Sequence, residues 1–135
     1  MIKLKGISNC FKSKPQNGAC VSTDAGLVTI GGRKSILGTA TPILNASILK
    51  DDVWQVIGKL KRPSFKNTAI SAGKYIFVTS GERVREQHDH YNEILRPIER
   101  LEWNGSNLAS SLLSLEAGYN WSPLVFQVPV DFCSY

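Results

Sequence analysis

The residues best equipped for chemistry sit together in Glu82-Arg83-Val84-Arg85-Glu86-Gln87-His88-Asp89-His90-Tyr91-Asn92-Glu93-Ile94-Leu95-Arg96, which holds both histidines of the 135-residue chain. His88 and His90 bracket Asp89, and Glu93 follows His90 by three positions, so imidazole and carboxylate donors for a metal ion stand close in sequence. The same residues carry a second pattern. Val84, His88, Tyr91 and Leu95 fall at helical spacings of four, three and four, which would lay a short amphipathic turn over the underlying structure and leave the charges in water. A His-x-His in a polar insertion is ordinarily a solvated loop. The stretch is therefore read as an interaction loop, with Arg83, Arg85, His88, His90 and Tyr91 as its contact residues and with no metal or cofactor.

Cysteine and asparagine offer two further chemistries. The three cysteines are Cys10, Cys20 and Cys133, with no C-x-x-C or Cys/His ligand spacing among them. Cys10 and Cys20 flank an Asn17-Gly18 turn, so they can pair in an oxidising compartment and leave Cys133 free; the small buried thiol is the commoner state of cysteine and is the expectation here. N-x-S occurs at Asn45, Asn104 and Asn120, against about one match by chance for this composition, a mild excess that points toward secretion.

Catalytic patterns are lacking. No Ser/His/Asp arrangement, phosphate-cradling glycine loop or paired-carboxylate motif stands out, and no catalytic residue is assigned. The net charge of +5 invites a nucleic-acid reading. Lys3, Lys5, Lys12 and Lys14 gather near the amino end, and Lys59, Lys61, Arg62 and Lys66 form a second group, but neither alternates with aromatic stacking residues. Lysine on strand edges and loops is an ordinary guard against sheet-to-sheet sticking, so nucleic acid is set aside as a partner.

The elements that must position these residues repeat. Ala19-Cys20-Val21-Ser22-Thr23-Asp24-Ala25-Gly26-Leu27-Val28-Thr29-Ile30-Gly31-Gly32 lines up with Ala69-Ile70-Ser71-Ala72-Gly73-Lys74-Tyr75-Ile76-Phe77-Val78-Thr79-Ser80-Gly81 at an offset of 50. Each copy reads strand, glycine turn, strand, glycine, and a period near fifty made of short strands marks repeats that must stack on neighbours. Further on, the Lys50-Asp51-Asp52 turn before Val53-Trp54 is aligned with the Asn104-Gly105 turn, matching Asp51 to Asn104 at an offset of 53. Pairing Trp54 with Trp103 is rejected, since one follows its turn and the other precedes it. Tyr75-Ile76-Phe77-Val78 is apolar on both faces, as a strand covered on both sides requires.

The glycine-ended strand Val28-Thr29-Ile30-Gly31-Gly32, the Ile-Glu-x-Leu-x-Trp strand at 98–103 and the aromatic strand after a tight turn at Trp54 resemble kelch repeats, the blades of kelch and galactose-oxidase-like β-propellers. The resemblance spans roughly residues 18–130, and it departs from the family at Ser80-Gly81-Glu82, where paired glycines are usual. It implies an all-β fold, a partial β-propeller of antiparallel four-stranded kelch-like blades. An amino-terminal segment at 1–17, possibly ending a preceding blade, leads into a blade at 18–66. A second blade occupies 67–120, with a long charged loop at 82–97, and 121–135 starts a further blade or a closing strand. Gly31, Gly32 and Gly81 become structural strand ends, Trp54 and Trp103 fill the spaces between blades, and Arg62 at the blade crossover is a structural donor. The copper site of the galactose-oxidase-like enzymes cannot be mapped, because the only histidines sit two residues apart in one loop.

At about fifty residues per blade the chain supplies about two and a half blades, fewer than a closed ring needs. A strand edge and a blade face are expected to stay open, favouring self-association or a larger propeller. No run approaches the roughly eighteen apolar residues of a membrane span, and Met1-Ile2-Lys3-Leu4-Lys5-Gly6 has no apolar leader. A complete chain would thus start in the cytosol, whereas a fragment leaves an extracellular setting open. The function expected is a non-catalytic scaffold for a protein partner of unknown identity; the alternative is a fragment of an extracellular, carbohydrate-active or galactose-oxidase-like enzyme.

Overall fold

Alternating apolar residues and tight turns generate strands throughout. The computed structural model describes residues 18–36, 39–62, 67–79, 82–83, 93–94 and 97–116, and these are all-β with no helix among them. The first half contains β1 (Ala19–Thr23), β2 (Gly26–Ile30), β3 (Arg33–Ile36), β4 (Thr39–Pro42), β5 (Asn45–Lys50) and β6 (Val53–Lys59). The second contains β7 (Thr68–Ala72), β8 (Tyr75–Thr79), β9 (Glu82–Arg83), β10 (Glu93–Ile94), β11 (Pro97–Asn104) and β12 (Asn107–Glu116). Each half is an antiparallel four-stranded meander, β1-β2-β5-β6 or β7-β8-β11-β12, interrupted after its second strand by a separate hairpin, β3-β4 or β9-β10. Residues 93–94 of the expected amphipathic turn are strand, paired with 82–83; the histidines between them lie outside the described residues.

The two meanders join into one nearly closed sheet of eight strands, in the order β1-β2-β5-β6-β12-β11-β8-β7. Their last strands, β6 and β12, meet in parallel at Gly58 and Leu108, while β1 and β7 approach each other at the opposite side of the sheet. The edges expected to stand open are thus turned toward one another. At the parallel seam there is no room for a side chain on β6: a Cβ on Gly58 would lie 2.7 Å from the carbonyl oxygen and 2.9 Å from the Cβ of Leu108.

This topology corrects the internal alignment. Thr23 closes its hairpin with Gly26, and Ala72 closes the corresponding one with Tyr75, so turns repeat at an offset of 49. Lys50 pairs with Val53 and Asn104 with Asn107, which matches Asp51 to Gly105, not Asn104, at an offset of 54. The buried residues nevertheless follow the offsets read from sequence, Val28 with Val78 at 50 and Ile48 with Leu101 at 53. A one-residue difference between turn and apolar pattern exchanges the faces of a strand. Two like meanders joined through parallel last strands lie on opposite sides of that seam, so one is turned over relative to the other and must bury the alternate set of residues.

The interior follows from these registers. Val28 lies opposite Ile48, Ile30 opposite Ala46, and Ile76 opposite Leu101. Ile30, Ile48, Ile76, Leu101 and Val28 are essentially sealed from solvent, each contributing about 1.5–3 kcal/mol of burial. Ala19, Ile57, Leu60, Val78 and Leu108 complete the buried set, with Val21, Ala69 and Trp103 packed against it.

Candidate functional site

The second meander presents to the outside the positions that are core in the first. By turn position, Val28, Ala46 and Ile48 correspond to Phe77, Arg100 and Glu102, whose side chains stand on the outer face of β8 and β11. Tyr75 lies opposite Glu102 and Phe77 opposite both Arg100 and Ile70, making an outer patch of half-buried apolar and charged groups. The Tyr75 and Phe77 rings are tilted by 46° with centroids 6.0 Å apart. Lys74 Nζ and Arg100 Cζ each lie 5.1 Å from the Tyr75 centroid, within the range of cation–π attraction.

Charge is organised around the same ring. Lys74 Nζ is 2.6 Å from Glu102 Oε1. That hydrogen bond, and a lesser one to Tyr75, raise the Lys74 ammonium above the ordinary lysine value, while Lys74 holds the Glu102 carboxyl below the ordinary carboxylate value. Both groups are water-exposed, so the pair orders the patch more than it stabilises the fold. The buried Nε of Arg100 has no hydrogen-bond partner among the described residues. Aromatic rings with an arginine beside them are enriched in protein contact surfaces, whereas lysine and glutamate are depleted there.

A second polar cluster lies inside the sheet. Glu99, almost fully buried on β11, accepts hydrogen bonds from the backbone N–H of Lys61, at 2.5 Å, and from the Ser110 hydroxyl. It thereby fastens the chain leaving β6 to β11 and β12. Buried Asn67, just before β7, donates through Nδ2 to the Ile30 carbonyl at 3.4 Å. Sequence reasoning missed both. The signal for Glu99 was its place in phase with Leu101 and Trp103 on an alternating strand.

Of the residues singled out from sequence, Gly31 and Gly32 are buried at the end of β2 with φ of 63° and 100°, conformations that favour glycine. Gly31 N–H donates to the Asn45 carbonyl and the Gly32 carbonyl accepts from Ile43 N–H, continuing the ladder past the strand end. Trp103 packs on the core, whereas Trp54 is half-buried on the outer face opposite Leu49. The structure does not bring these two tryptophans into the same layer. Arg62 is half-buried ahead of β7, and Arg83 belongs to β9. Gly81, Arg85, His88, His90 and Tyr91 lie outside the described residues.

Cys20, outward on β1, is disulfide-bonded, which corrects the expectation of a buried thiol for this residue. Its partner lies outside the described residues. Among the described residues no three His, Cys, Asp or Glu side chains converge as metal ligands, and no helix is long and apolar enough to cross a membrane. Compared with known proteins, the sequence matches no family model and no curated protein. The class defined by the fold is an all-β chain with a nearly closed eight-stranded sheet.

Proposed function

We propose that the chain is a non-catalytic protein-interaction scaffold, kelch-like in its strand–glycine repeat, and that its partner docks on the outer face of β8 and β11. The observation carrying this reading is that β8 is apolar on both faces: Ile76 and Val78 enter the core while Tyr75 and Phe77 stand outside, flanked by Lys74 and Arg100. A strand with two apolar faces is suited to being covered on both. With Lys74 paired to Glu102, Arg100 gives the patch a net positive charge and the partner's approach a preference for acidic groups. A disulfide at Cys20 supports an oxidising, extracellular setting for this role.

The test places a photo-crosslinking phenylalanine analogue at position 77, with position 22 on exposed β1 as control, in an extract of the source organism. Protein adducts at 77 that are absent at 22, and that Arg100→Glu abolishes, are the expected result. Equal labelling at both positions, or no labelling at 77, overturns the proposal.

A further inference from the structure

We propose that Asn104 is an acceptor for an asparagine-linked glycan. Asn104-Gly105-Ser106 is an N-x-S sequence that forms the tip of the β11–β12 hairpin, and all three residues are exposed. Gly105 adopts φ 69° as the first central residue of the two-residue turn, and a Cβ added there would meet no atom of the described residues within 4 Å. Among the described residues the exposed tip is therefore uncovered, with room for a bulky, solvated group.

The other described N-x-S site contrasts in each respect. Asn45 is half-buried at the start of β5, pairs with Lys59, and accepts a hydrogen bond from Gly31 N–H through its carbonyl. Its next residue, Ala46, is sealed in the core between β2 and β6. Asn120 lies outside the described residues.

The disulfide at Cys20 supplies an independent observation, because disulfides form in the secretory lumen, where this modification also takes place. The donor is a polyprenyl-pyrophosphate-linked oligosaccharide, used by a membrane transferase that recognises the hydroxyl of Ser106. Asn104 Nδ2 forms a bond to the anomeric carbon of the first sugar. The bond from that carbon to the pyrophosphate oxygen breaks, the pyrophosphate leaves with the electron pair, and the amide nitrogen loses one proton. Nothing is oxidised or reduced.

The full chain is to be secreted from eukaryotic cells behind an appended leader and digested with an amide-cleaving endoglycosidase in heavy-oxygen water. Peptide mass spectrometry of the wild-type chain is expected to find position 104 converted to heavy-oxygen aspartate, a label that ordinary deamidation of the Asn-Gly pair before digestion does not produce. The corresponding electrophoretic step should vanish in Asn104→Gln and in Ser106→Ala, and persist in Ser106→Thr and Asn45→Gln. Secreted wild-type chain with position 104 unlabelled overturns the proposal, and so does a step that survives Asn104→Gln in full.

Discussion

Gly58 tests the way the two meanders are joined. Its backbone meets Leu108 where β6 and β12 run parallel, and a Cβ there would stand 2.7 Å from the Leu108 carbonyl oxygen. The obstructing atoms are backbone and Cβ, which cannot swing aside, so the strands must separate by roughly 0.7 Å to reach ordinary contact. Overpacking of this kind costs about 1–3 kcal/mol. Replacing glycine by alanine also stiffens the unfolded chain and recovers about 0.4–1 kcal/mol, leaving a net destabilisation between about 0 and 2.6 kcal/mol for Gly58→Ala. Gly58→Val separates the explanations more sharply, because strand preference favours valine over glycine by up to about 1 kcal/mol while the seam penalises it more than alanine. Urea unfolding at constant m-value reads the difference. Valine at position 58 as stable as glycine, or more stable, would refute the parallel seam.

Two further outcomes follow from the polar groups. Glu99→Ala should cost about 1–2 kcal/mol in urea unfolding, because it removes the acceptor shared by the part-buried Lys61 N–H and Ser110 hydroxyl, and Glu99→Gln should cost less by keeping an acceptor; equal stability of all three proteins would show that Glu99 is not a latch. The Glu102 carboxyl, followed by NMR, should titrate below the ordinary carboxylate value and return toward it in Lys74→Met; its contribution is present above that ordinary value and lost as pH falls through the lowered one, while the contribution of Lys74 is present below the ordinary lysine value and lost as pH rises through its raised one.

Local features of the fold were legible in the sequence because they depend on neighbours in the chain. The strands around Val28-Thr29-Ile30 and Tyr75-Ile76-Phe77-Val78, the Asp51-Asp52 turn and the glycine-ended β2 all follow from alternation and turn chemistry. The positive φ angles at Asp51 and Asp52, 48° and 60°, match the mirror-image turn that suits the twist of a hairpin. What stayed hidden depends on residues far apart in sequence. Gly58 and Leu108 meet across fifty positions, and only the packed sheet shows that the absence of a side chain at 58 makes the contact feasible. The role of Glu99 likewise depends on partners at 61 and 110, which sequence order does not place beside it. The outer patch was hidden for a related reason: periodicity marks a strand as apolar on both faces but does not say which face is inside.

The repeat at 50 and the turns at 49 together explain why one face of β8 looks like core and lies outside. Val28, Ala46 and Ile48 fill the interior of the first meander, and the turn-equivalent positions in the second carry Phe77, Arg100 and Glu102. Had the second meander kept the first one's register between turn and apolar pattern, its parallel attachment at β12 would have turned Ile76, Val78 and Leu101 to solvent. The one-residue shift returns these three to the interior, where they are buried. It does not empty the opposite face of apolar groups, since Tyr75, Phe77 and Ile70 remain there with Arg100 beside them. Closing the sheet needs only one apolar face per strand. The second apolar face of β8 is in excess of that requirement, and a surface that covers it from outside is what would use it.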